Sequence, residues 1–157
     1  MTIAQTWKDK WNSINSKFAT CKSECITAYR SDDKCKDSIE AVMADIWNLK
    51  DWLAQEPTAG VPQADINAFL DTEAFNIGAC GDIETKQKHY RVTNKRRENT
   101  EVIWEGKHNH PSGYPVIFSV TRTYKDGSGT DHWEDAFELA RRAIEEWKKF
   151  LAKRGLL

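Results

Sequence analysis

Apolar residues along the first part of the chain recur at alternating steps of four and three: Trp7, Trp11, Ile14, Phe18, Cys21, Cys25 and Ala28. This spacing predicts one stripe of a long helix over about residues 4–29. Asp9, Lys10, Lys17 and Lys22 fill the opposite face, and Thr6 stands where a cap could sit. Ser31, Asp32 and Asp33 interrupt the pattern, and each can accept hydrogen bonds from the free N–H groups of a new helix. A second stripe follows in Cys35, Ile39, Val42, Ile46, Leu49 and Leu53, widened by Met43 and Trp47. It predicts a helix over about 33–55, which Pro57, Gly60 and Pro62 prevent from continuing. Two long helices with a short joint fold back as an antiparallel hairpin, with Trp11, Phe18, Ile39 and Ile46 expected between them.

Beyond the loop at 57–62, Ile66, Phe69 and Leu70 predict a short helix over about 65–70. Ala74, Phe75, Ile77 and Ile83 predict another over about 73–88, where Gly78 and Gly81 either weaken it or admit a close neighbour. The period then changes to two. Tyr90 and Val92, then Val102 and Trp104, alternate with polar neighbours. Residues 114–124 read as a strand with Val116, Phe118 and Val120 on one face and Ile117 on the other. The run Lys125-Asp126-Gly127-Ser128-Gly129 reads as a turn, and residues 130–133 as a short return strand. A last helix, preceded by Asp131 or His132, carries Trp133, Phe137, Ala140, Ile144, Trp147 and Leu151, with Gly155 as its terminator. The predicted class is α+β: an antiparallel helical hairpin, two shorter helices, a small antiparallel β unit and a C-terminal packing helix. One domain covers residues 1–157, helical over about 1–89, β over about 90–133, with the last helix at about 134–154.

The length of 157 residues suits a single domain with its own core. Apolar residues at 39% and charged residues at 30% mark a globular chain. Seven Trp predict a core built on aromatic anchors. No segment approaches the roughly 18 apolar residues of a membrane span, and residues 1–10 hold Lys8, Asp9 and Lys10 with no apolar run. A cytoplasmic location is therefore expected, or a host cytoplasm if a mobile element encodes the chain. The net charge of −1 conceals an asymmetry: 8 basic and 14 acidic side chains lie in residues 1–85, against 15 and 10 in residues 86–157. The halves can attract each other or address different partners.

Four groups can carry chemistry. The basic run Lys86, Lys88, His89, Arg91, Lys95, Arg96 and Arg97 could touch the phosphates of RNA, with Tyr90 and Trp104 as stacking platforms. The simpler reading is a solvated hairpin whose bias offsets the acidic half. His108-Asn109-His110 offers two imidazoles, but the predicted strand after it lacks the helix and further ligands of a ββα metal finger, so no metal is expected there. Cys21 and Cys25 lie one helical turn apart, and Cys25 and Cys35 stand almost symmetrically about the joint. Apolar packing of free thiols, a disulfide, or a metal site without a convincing fourth ligand are the alternatives, in that order. Last, Asp82, Glu84, Lys88 and His89 end the fourth helix. His89 could act as a general base with Lys88 or Arg91 stabilising charge on phosphorus, or the group is an ordinary polar helix end.

A long hairpin followed by short helices that end in a His-containing polar stretch resembles the HEPN superfamily of prokaryotic helical domains. Asp51-Trp52-Leu53, Cys80-Gly81-Asp82, Lys88-His89 and Trp147-Lys148-Lys149-Phe150-Leu151 look like a group of uncharacterised bacterial members, over most of the chain. The resemblance implies a dimerising helical domain, with ribonuclease activity in some members and only nucleotide or protein binding in others. His89 matches the family His. Catalytic members also carry an Arg about four to six residues before it, whereas residues 82–88 here read Asp82, Ile83, Glu84, Thr85, Lys86, Gln87 and Lys88. The expectation is a non-catalytic interaction module, a homodimer or a binder of another protein, with a regulatory or defence role in a bacterium or phage and no cofactor. The alternatives are a ribonuclease-type phosphodiesterase using His89 with Lys88, Arg91 or Arg97, and a nucleic-acid binder using residues 86–97.

Overall fold

A computed structural model describes residues 5–27, 32–88, 101–108, 116–123 and 132–157, and places the side chains of 5–25, 34–84 and 135–157. The first helix, α1, runs Trp7–Lys22. Thr6 caps it through a reciprocal pair: Asp9 N donates to Thr6 Oγ1 at 3.2 Å, and Thr6 N donates to Asp9 Oδ2 at 2.8 Å. Two of the orphan donors at the helix start are thereby satisfied. The backbone N–H of Trp7 finds a third acceptor in Glu56 Oε2, 3.1 Å away, so the start of α1 is tied to the end of the next helix. After Lys22 the helix widens into a π-helical turn at Ser23–Thr27.

The second helix, α2, runs Asp32–Gln55. Trp7, Trp11, Ile14, Cys21 and Cys25 of the first stripe are buried against Cys35, Ile39, Val42, Met43, Ile46, Leu49 and Leu53 of the second. Phe18 departs from the expected pattern: it is half-buried at the rim, while Trp11, Ile39 and Ile46 are buried. Lys17 Nζ reaches Asp45 Oδ2 at 3.0 Å on the outer side of the same seam. A disulfide between Cys25 and Cys35, Cα atoms 5.6 Å apart, closes the joint.

A 3₁₀ turn at Pro57–Ala59 ends with Gly60 at φ 65°, a left-handed position that glycine takes without strain. The short helix α3 spans Gln63–Thr72, and α4 spans Phe75–Lys88. The last helix, α5, spans Ala136–Lys153. Its cap is Asp135, not Asp131 or His132: Asp135 Oδ1 accepts from Phe137 N at 2.7 Å and Glu138 N at 3.1 Å. Gly155 follows the helix at φ 74°, as expected of the terminator.

Trp147 joins the pieces. It is fully buried, its ring lies 5.3 Å from Phe69 and 5.8 Å from Phe150, and its Nε1–H donates to the Ile46 carbonyl at 2.8 Å. Its neighbour Glu146 accepts from Asn76 N at 3.1 Å, Ile77 N at 2.9 Å and Asn76 Nδ2 at 3.0 Å. A carboxylate from α5 thus satisfies the free donors at the start of α4, where the helix dipole favours negative charge.

The α+β class is corrected by this packing. The part whose side chains are placed is 86% helical, has five helices and contains no strand, so this is a helical protein. A class is set by the elements that close the core, and the core described here closes on helix faces and the turn at Ala59 and Val61. The backbones of residues 101–108, 116–123 and 132–135 pair antiparallel in that order, with Trp104 opposite Val120 and Thr121 opposite Trp133. Alternation along a segment reports which way successive side chains point. It does not report what share strands hold beside helices, and the helices dominate here.

Ile46→Ala should cost about 2–5 kcal/mol, because it leaves a cavity beneath the Trp147 anchor. Phe18→Ala should cost less, about 1–2 kcal/mol, since part of the ring already meets water. Urea unfolding of the two variants, with unchanged slope, measures both. A larger loss for Phe18→Ala would move the centre of the hairpin core away from Ile46.

Candidate functional site

Every residue of α4 from Ile77 to Glu84 is buried, on all sides of the helix. Neighbours approach it from α2, α3, α5 and the paired segment at 101–108. A helix enclosed on all faces shows no single apolar stripe, and its composition is set by how closely each neighbour comes. The closest approach is at Gly81. A Cβ placed there would stand 2.6–2.8 Å from the indole of Trp47 on α2, inside any real carbon–carbon contact. Gly81 is therefore the seat of the Trp47 ring. Lys50, one turn along α2, holds its Nζ 4.7 Å from the Trp47 ring centroid, a cation–π contact, and 3.0 Å from Asp51 Oδ1.

One turn beyond Gly81, Glu84 lies on the same seam. Its Oε1 accepts from Asn48 Nδ2 at 3.1 Å, and the residue is 6% exposed. Asp82 is 3% exposed. The two carboxylates are separated by about 200° around the helix axis, so they do not share one side of α4. Their burial departs from the reading of an ordinary polar helix end. The available signal was spacing: Glu84 follows Cys80 by four residues and Gly81 by three, on the face that meets α2. What hid it was residue type, because charged residues are seldom buried unless paired.

The α4 backbone reaches Lys88, so Lys86 and Lys88 belong to its last turn, with side chains outside the described residues. His89, Arg91, Lys95, Arg96 and Arg97 lie outside the described residues, as do Tyr90 and His110. Of His108 and Trp104, only the backbone is placed. Of the three cysteines of the hairpin, Cys25 in the π-helical turn is joined to Cys35, which corrects the first expectation of free thiols for that pair, and Cys21 is buried on α1. Cys21 is a buried free thiol, which burial, and secondarily Glu24, push from 9.0 up to about 11. Among the described residues, no group of three or more His, Cys, Asp or Glu is placed to hold a metal ion. No helix among them is long and apolar enough to cross a membrane.

The α2–α4 seam locks two helices by ring-on-backbone packing and a buried amide–carboxylate bond. Its acid, Glu84, is turned toward Asn48. A comparison with known proteins finds no matching family model, no matching curated protein and no matching solved structure.

Gly81→Ala should destabilise the fold by about 1–3 kcal/mol or more, as overpacking does when the obstructing atoms belong to a large ring. Gly81→Ala combined with Trp47→Leu should recover part of that loss, and a thermal melt of the three proteins tests the pairing. Elemental analysis of purified protein should find no stoichiometric zinc, and chelation should leave the melting temperature unchanged. One zinc per chain would instead assign a metal to the Cys or His groups.

Proposed function

We propose that this chain is a non-catalytic, HEPN-like interaction module that works as a homodimer, in the cytoplasm, in a bacterial or phage regulatory or defence role. The observation that carries the reading is Glu84. Phosphodiester cleavage places negative charge on the non-bridging oxygens of phosphorus in the transition state, and a cation held in fixed geometry must meet it. The window before His89 holds a buried carboxylate bonded to Asn48 in place of a guanidinium. A carboxylate there repels a phosphate, and its bond to α2 holds it in place. The five-helix architecture also suits the resemblance better than an α+β fold does, and the resemblance is the ground for the homodimer.

The wild-type protein and a His89→Ala variant, incubated with structured and with single-stranded RNA, should both show cleavage no faster than background. Sedimentation should give a dimer. Cleavage by the wild type that is lost in His89→Ala would make the protein a ribonuclease. RNA retention that weakens steeply with salt, without cleavage, would make residues 86–97 a nucleic-acid site.

A further inference from the structure

Helices α3 and α5 lie side by side and run in opposite directions. Asp65 near the start of α3 pairs with Arg154 just past the end of α5, and Phe69, one turn on, packs on Phe150 and Trp147. The start of α4 joins the same face, because Glu146 of α5 accepts from the backbone of Asn76 and Ile77. The outward side chains of this face carry opposite charge on its two sides. Residues 51–85 contain no Lys or Arg, and Asp71 and Glu73 are exposed at the end of α3. On α5, Arg142, Lys149 and Lys153 follow one line at spacings of seven and four. All three are exposed. The acid on that line, Glu146, is turned into the start of α4.

Among the described residues, Asp71, Glu73, Lys149 and Lys153 make no ion pair. Phe75 follows Glu73 by two residues and precedes Asn76, which Glu146 holds, so it stands where the acidic side meets the basic line. It is 61% exposed. A lone exposed ring is ordinary. A ring set between unpaired acids and unpaired bases has the form of an apolar anchor with a charged rim, which is how protein interfaces concentrate their binding.

We propose that this face, Phe75 with the acidic end of α3 and the basic line of α5, is where a second copy of the chain docks, the copies being related by a two-fold axis that passes Phe75. The inference rests on the homodimer proposed above and names its surface. A two-fold axis lying in an interface exchanges the two sides of the face. The acids of each copy then lie over the bases of the other in two symmetric sets, and the two Phe75 rings meet near the axis. The unpaired charges gain partners without any ion pair inside a copy being broken. Charge favours this occupant over a nucleic acid, because a polyanion laid along Lys149 and Lys153 would meet Asp71 and Glu73 on the same face with like sign.

Sedimentation of the full chain over a range of concentrations tests the surface. Phe75→Ser should weaken the dimer at least about tenfold, as loss of a central anchor does. Lys149→Glu/Lys153→Glu makes both sides of the face acidic, and Asp71→Lys/Glu73→Lys makes both sides basic. Each double variant alone should be monomeric, and the two mixed in equal amounts should form a dimer, since both symmetric sets are then complementary. All three variants change exposed side chains, so each should keep the helical circular dichroism of the wild type. A wild type that stays monomeric would overturn the homodimer and this surface together. A wild-type dimer that all three variants leave intact would keep the homodimer and overturn this surface. Double variants that remain monomeric when mixed would overturn the two-fold pairing of acids with bases.

Discussion

The indole of Trp147 fixes how the last helix meets the first half of the chain, and much else depends on that contact. Its N–H reaches the Ile46 carbonyl in the middle of α2, across 101 residues of sequence. An apolar contact alone would let α5 slide or roll, because burial is non-directional. The hydrogen bond removes that freedom. Glu146, the preceding residue, removes the rest by holding the first amides of α4. Adjacent side chains on a helix diverge by about 100°, so these two bonds address two different helices and set both the height and the rotation of α5. Phe69, stacked on Phe150 at 4.4 Å and tilted against Trp147, brings α3 into the same cluster.

With α5 placed in this way, α4 lies between α2 and α5, and its sequence follows from the enclosure. A helix with neighbours on all faces meets at least one at backbone distance. Here that neighbour is Trp47, and only a residue without Cβ fits beneath it. The same enclosure takes Glu84 out of water. A buried carboxylate needs a donor, and Asn48, adjacent to Trp47, supplies one. The pattern Cys80-Gly81-Asp82, one of the short motifs behind the family resemblance, is thus accounted for at Gly81 by packing.

The elements legible in the sequence were those whose burial is one-sided. The stripes of α1 and α2 and the apolar face of α5 repeat at helical spacing because each helix keeps one face in water. The symmetric placement of Cys25 and Cys35 about the joint was legible, but their disulfide was not, since apolar packing of free thiols was the first expectation. The role of α4 was not legible, because a helix enclosed on every side has no stripe to read. Its buried acids looked like a solvated helix end for the same reason. The class was misjudged where the alternating segments were given equal weight with the helices. Alternating residues such as Val116, Phe118 and Val120 describe the direction of a local backbone, and which elements close the core is decided by contacts distant in sequence, of which Trp147 to Ile46 is the example.

Charge illustrates the same limit. The acidic first half and basic second half suggested mutual attraction, yet the placed acids serve other ends. Asp9 and Glu56 hold the start of α1, Asp45 pairs with Lys17 inside the hairpin, and Glu84 holds Asn48. Arg154 with Asp65 is an ion pair that crosses between the halves, and it lies at the surface. Glu146 does cross between elements, but as a helix cap in which backbone amides take the place of a cation. What holds the two ends of the chain together is the anchored indole and the shared aromatic cluster.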